Sequence, residues 1–251
     1  MNILKSAARE ATQDAAHGRQ HDMEMNARRG VRPTMQAIVH DEYGEAEVLR
    51  LEEIPVPAVQ AGRVLVEIRA AGVDPGVWHL MAGVPRMVRL AAGLRGPRAR
   101  VRGAAFAGVV RDVGEGVTTV AVGDEVLGAP ARGLGAFAEH TVLKAAETVA
   151  KPEEISFADA ATIPIAGTTA YDLTHQVELE AGQVLLVLGA GGGVGRMALQ
   201  IAKVHGFRAV GVASESKRDL VEATGATFVP SGAGVAGRVR EIVPEGVDLL
   251  A

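Results

Sequence analysis

The stretch VLLVLGAGGGVGRMALQIAKV, residues 184–204, decides the fold. Val184 to Leu188 is an unbroken apolar run, the pattern of a central parallel strand covered on both faces. Gly189, Ala190, Gly191, Gly192, Gly193, Val194 and Gly195 follow. In register, Ala190, Gly192 and Gly195 take the three positions of the G-x-G-x-x-G fingerprint, with alanine in the first. Arg196 to Val204 reads as a helix stopped by Gly206, and Arg208 to Ala213 reads as the next strand. This βαβ context over Val184 to Ser214 separates a dinucleotide site from a flexible glycine connector. The chain must turn sharply, bring backbone against a pyrophosphate and pack helix tightly on strand. Free N–H groups at the helix start then meet the phosphates. No Gly-Lys-Ser/Thr follows, which excludes a Walker A loop.

The residues after the second strand choose the cofactor. A NAD-type site places an acid there to hold the ribose 2′-hydroxyl. Here the sequence runs Ser214, Glu215, Ser216, Lys217, Arg218. Ser214 is small and polar, and Lys217 and Arg218 can pair a 2′-phosphate, so NADPH is favoured. Glu215 keeps NADH open, and Lys217 and Arg218 as plain solvated charges is the competing reading.

Upstream the texture differs. Met35 to His40, Glu47 to Ile54, Val64 to Ala71, Ala104 to Val113, Asp124 to Leu127 and Ala136 to Val142 read as short strands punctuated by Gly and Pro. They predict a mostly β unit, with a partly open barrel as one form it could take. Ser156 then caps a helix, and Thr168 to Gln176 reads as helical. The expected organisation is a tail over 1–33, disordered or weakly helical with a short helix over Ile3 to Ala16, a β domain over 34–153 and an α/β domain over 154–251.

Of 251 residues, 48% are hydrophobic and 22% charged, with a net charge of −4. That balance suits a soluble globular protein and gives no sign of nucleic-acid binding. No apolar run is long enough to span a bilayer. The polar start lacks the apolar core of a secretory signal, so no membrane partner and a cytoplasmic location are expected. The chain has no cysteine, which removes disulfides, thiolate zinc ligands and a cysteine nucleophile.

Several segments together resemble the medium-chain dehydrogenase/reductase superfamily, in its zinc-free quinone oxidoreductase branch. They are AAGVDPGVWHLMAG (70–83), GAAFAGVVRDVGEGVTTVAVGDEV (103–126), GAFAEHTV (135–142), ATIPIAGTTAYDL (161–173), VLLVLGAGGGVGRMALQIAK (184–203) and EATGATFV (222–229). The likeness runs from about Met35 to the end. It implies a GroES-like β domain followed by a partial Rossmann dinucleotide-binding domain, with the active cleft between them. It also implies hydride transfer from NADPH to a quinone, enone or aldehyde.

On this resemblance Asp74 is the expected catalytic-site polar contact, Trp78 and His79 line the substrate pocket, and Thr168 and Thr169 contact the cofactor. A turn role for Asp74 and a helix-cap role for the two threonines compete with these assignments. Zinc-dependent relatives carry Gly-His-Glu where this chain has Gly103-Ala104-Ala105. His40, His79, His140 and His175 are scattered, so no metal is expected.

A doubly wound dinucleotide fold runs to six strands. Here Thr227-Phe228-Val229 reads as the third, and Val247 to Ala251 as the start of a fourth. The sequence therefore reads as C-terminally truncated, and homodimerisation through later strands is doubtful. Two other functions compete with the reductase. One is a non-catalytic nucleotide-binding remnant, and the other is an interaction protein acting through residues 1–33.

Overall fold

The computed structural model describes residues 33–130, 135–178 and 180–251. The helix expected over Ile3 to Ala16 lies outside these residues. The chain divides between Ala161 and Thr162 into two compact units.

The first unit is mostly β. Strands β1 (Thr34–Val39) and β2 (Arg50–Pro55) pair antiparallel. Strand β3 (Arg63–Gly72) is followed by helices α1 (Pro75–Ala82) and α2 (Val88–Ala92), then β4 (Ala105–Val113), β5 (Glu125–Gly128), β6 (His140–Lys144), β7 (Thr148–Ala150) and the one-turn helix α3 (Phe157–Ala160). The five-stranded sheet has the order β6-β3-β4-β5-β7, and every pairing in it is antiparallel. Single bridges, Ala37 to Ala138 and Val39 to Val101, tie the β1–β2 pair to segments beside the sheet. Val64, Val66, Phe106, Val110, Val126 and Leu143 make its main core.

Two differences from the sequence reading have a physical cause. The strand expected over Ala136 to Val142 begins only at His140, because the N–H groups of Ala136 and Phe137 are donated to the carbonyls of Gly103 and Arg102. The division falls after Ala161 because Ala160 and Ala161 pack on Ala107 and Leu127 of the β unit. Ser156 caps α3 as expected, its hydroxyl accepting from the Asp159 N–H at 3.1 Å.

The second unit alternates helix and strand: α4 (Ile163–Thr174), β8 (Val184–Leu188), α5 (Gly193–His205), β9 (Arg208–Ala213), α6 (Arg218–Glu222), β10 (Thr227–Pro230), α7 (Val235–Ile242) and β11 (Leu249–Leu250). The sheet is parallel, with the order β10-β9-β8-β11. Its chain path runs outward from β8 to β10, then returns to β8's other side, and ligands of open α/β sheets bind at that reversal. Strand β8 is apolar throughout, and both its faces are covered from Val184 to Val187. Leu185 and Val187 pack with Ala170, Ala198, Leu199 and Ala202, whereas Val184 and Leu186 pack with Val210, Val212, Val239 and Val243. No helix among the described residues is long and apolar enough to cross a membrane.

Candidate functional site

The loop between β8 and α5 is shaped by its glycines. Gly189 makes the sharp turn with φ +75°, one residue before the first fingerprint position. That left-handed conformation suits glycine, because a Cβ there crowds the following carbonyl. Ala190 is fully buried, and its N–H donates to the Val212 carbonyl at 2.9 Å, pinning the loop to β9. A Cβ on Gly195 would stand 2.5 Å from the Gly189 carbonyl oxygen, so this glycine permits the close helix–strand contact.

Gly192 is the N-cap and offers no side chain, so the N–H groups of Gly193, Val194 and Gly195 lack intrahelical acceptors and a side-chain cap. A Cβ on Gly193 would meet only the Ala166 Cβ, at 3.7 Å. The loop thus presents unspent donors at the positive end of a thirteen-residue helix. The arrangement fits a pyrophosphate.

The residues after β9 divide in two. The Lys217 stem lies over Gly191, where a Cβ would approach it within 2.9 Å, and its ammonium has no partner among the described residues. Arg218 is committed elsewhere: it donates to Glu215 at 2.7 Å and to Glu222 at 3.1 Å, and stacks over the Phe228 ring at 4.2 Å. These ion pairs hold the Arg218 guanidinium above its ordinary pKa. Glu215, the acid that would suit NADH, is the partner of Arg218. The Ser214 and Ser216 hydroxyls lie 3.1 Å apart beside them.

Thr168 and Thr169 sit inside α4 rather than before a helix. Their hydroxyls donate back to the carbonyls of Pro164, at 2.5 Å, and Ile165, at 2.7 Å, so neither caps the helix. The helix begins earlier than the expected Thr168 because Pro164 suits its first turn.

In the first unit, Asp74 caps α1. Its Oδ1 accepts from the Val77 N–H at 3.2 Å, and Pro75 opens the helix. Its Oδ2 is buried with no hydrogen-bond partner among the described residues. A buried acceptor without a donor is costly. Trp78 and His79 stand on α1 with ring centroids 4.9 Å apart. The Trp78 indole donates to Glu45 at 2.9 Å. His79 Nδ1 lies 2.8 Å from the Val84 carbonyl, to which it donates.

His40 and Arg102 form a buried pair, unread in the sequence. Arg102 Nε donates to His40 Nε2 at 2.6 Å, and Arg102 Nη2 donates to the Leu80 carbonyl of α1 at 3.1 Å. His40 Nδ1 lies 3.0 Å from the Glu42 carbonyl, to which it donates. Burial pushes the His40 pKa below 6.5 and also lowers that of Arg102. Among the described residues no three metal-ligating side chains gather; His175 stacks on Tyr171 at 3.8 Å.

Comparison with known proteins accords with this geometry. The family model of the alcohol dehydrogenase GroES-like domain matches residues 60–153. The chain is 36% identical over 203 residues to an NADPH-dependent alkenal/one oxidoreductase, chloroplastic, of Arabidopsis thaliana, which covers 76% of this chain and 51% of that protein. It is 31% identical over 230 residues to a chloroplastic quinone-oxidoreductase homolog of Spinacia oleracea, covering 84% of this chain and 68% of the relative. The solved quinone oxidoreductase from Coxiella burnetii superposes with a TM-score of 0.72 at 28% identity, over 86% of this chain and 68% of that one. The chain thus spans half to two thirds of the length of these curated relatives. A GroES-like β unit, a parallel sheet ordered as in dinucleotide-binding folds and sustained identity across both place the protein: the chain belongs to the medium-chain dehydrogenase/reductase superfamily, in its zinc-free quinone oxidoreductase-like branch.

Proposed function

We propose that the chain serves a zinc-independent, NADPH-dependent reductase acting on a quinone, enone or aldehyde in the cytoplasm. The glycine loop carries the reading: three unspent N–H donors at the start of α5, with Lys217, unpaired among the described residues, against Gly191. Gly193, Val194 and Gly195 would hold the pyrophosphate. Lys217, with the Ser214 and Ser216 hydroxyls, would hold the 2′-phosphate, while Arg218 braces the turn. The bound nicotinamide supplies the hydride. Within the first unit, Asp74 Oδ2 would accept a hydrogen bond from substrate, and His79 and Trp78 would line its pocket. The proton that completes reduction comes from solvent. Zinc independence is supported by the absence of cysteine and by Gly103-Ala104-Ala105.

The test is to mix purified protein with NADPH and a panel of quinones, enones and aldehydes, and to follow the nicotinamide absorbance. The expected result is acceptor-dependent loss that fails with Gly195→Ala. A thermal shift with NADPH but no turnover on any acceptor would leave nucleotide binding standing and overturn the reductase.

A further inference from the structure

Six large apolar side chains between residues 73 and 94 stand in solvent: Val73, Trp78, Val84, Met87, Leu90 and Leu94. Val73 is 84% exposed and Met87 77%. Single exposed apolar residues are ordinary, whereas this concentration within one short stretch is not matched in the rest of the described unit. The other exposed large apolar residues among those described in this unit, Ile38, Leu51, Val122 and Val149, are scattered along the sequence.

The same region is basic. Between Asp74 and Asp112 the sequence holds seven arginines and no carboxylate, in a chain of net charge −4. Four of the seven are spent inside the unit. Arg89 donates to the Gly83 carbonyl at 3.1 Å and covers the Tyr43 ring. Arg100 holds Asp41 at 2.6 Å and Glu52 at 3.0 Å. Arg102 is bound to His40, and Arg111 pairs with Glu67. Arg86 and Arg95 have no partner among the described residues, and the Arg98 guanidinium makes only a 3.4 Å bond to the Ala91 carbonyl. Arg86 adjoins Met87, and Arg95 adjoins Leu94.

We infer that residues 73–98 recognise a soluble amphiphile, an apolar chain ending in a carboxylate or phosphate, and that the acceptor reduced is of this class. The second half of the inference rests on the proposed reductase; the binding itself does not. The apolar side chains take the carbon chain and the unpaired arginines its anion. Asp74 and His79, in the same stretch, are the groups left for the reacting end. An anionic bilayer is the less suitable occupant. Interfacial helices set a wide apolar face against a strongly charged one, whereas α2 has only five residues and is clamped by Arg89.

Trp78 is the only tryptophan, and it is 40% exposed. Its emission therefore reports on this surface in the whole protein. Titration with monomeric dodecanoate should give a saturable change, about tenfold tighter than with 1-dodecanol. The Arg86→Gln/Arg95→Gln double variant should abolish that preference, and Leu90→Ser should weaken both ligands. Acetate should do nothing. Equal affinity for dodecanoate and dodecanol would overturn the inference. So would co-sedimentation with phosphatidylglycerol vesicles without saturable binding of the monomers. NADPH oxidation with a short neutral enone checks the reductase independently. Turnover there, without preference for a long enone carrying a terminal carboxylate, would reject the substrate class and keep the reaction.

Discussion

A methyl group at residue 195 would lie 2.5 Å from the Gly189 oxygen and 2.7 Å from the Ala190 Cα, both backbone atoms with little room to move. Gly195→Ala is expected to cost about 1–3 kcal/mol of stability, as overpacking does, measured by urea unfolding. Gly193→Ala is the informative contrast. Its methyl would touch only the Ala166 Cβ at 3.7 Å, so stability should hold while NADPH affinity falls. Lys217 and Arg218 separate in the same way. Lys217→Ala should weaken NADPH binding about tenfold and leave NADH unchanged, because the lost partner is a single phosphate charge. Arg218→Ala should leave that preference alone and change stability little, as exposed ion pairs do. Calorimetric titration with both nucleotides distinguishes them.

Helix α1 shows what a single element can hide. Replacing Asp74 by Ala should cost about 1 kcal/mol through loss of the N-cap. Asp74→Asn should keep the cap and the stability, since asparagine caps as well. If Oδ2 serves substrate, Asp74→Asn should still lower kcat/KM; unchanged kinetics would reduce Asp74 to a cap. The strands Val184–Leu188 and Arg208–Ala213 were legible in sequence to the residue, because burial on both faces writes an unbroken apolar run. Helices α1 and α2 were not. Alpha-1 is short and carries Gly76 and the β-branched Val77, and its start is set by an aspartate that reads equally as a turn. The engagement of Arg218 was hidden too, because Glu215 and Glu222 become its partners only once α6 forms. The basic, apolar stretch after Asp74 was readable, as a long interval without any acid.

For the molecule, the His40–Arg102 pair links β1, the approach to β4 and, through Leu80, helix α1. His40 must be neutral to accept from Arg102, and its folded pKa lies below 6.5. Above that value both folded and unfolded chains hold it neutral. As pH falls below it, the unfolded chain takes up a proton that the folded chain refuses, so stability falls. The urea midpoint should therefore drop between about pH 7.5 and about pH 5.5, and His40→Gln should flatten that drop. An unchanged slope would show that the pair does not govern acid stability.

The placement of β8 has one more consequence. Its backbone is bonded on both sides: Leu188 donates to the Ala251 carbonyl at 2.8 Å, Ala251 donates to Leu186 at 2.9 Å, and the opposite edge pairs with β9 from Val184 to Leu188. Amides so enclosed exchange with deuterium only through the largest openings of a structure. Those of β8 should be among the last in the second unit to exchange, while the loop immediately beyond it exchanges early and slows when nucleotide is added. The glycines that would receive a phosphate are then set directly on the stretch of backbone that yields least.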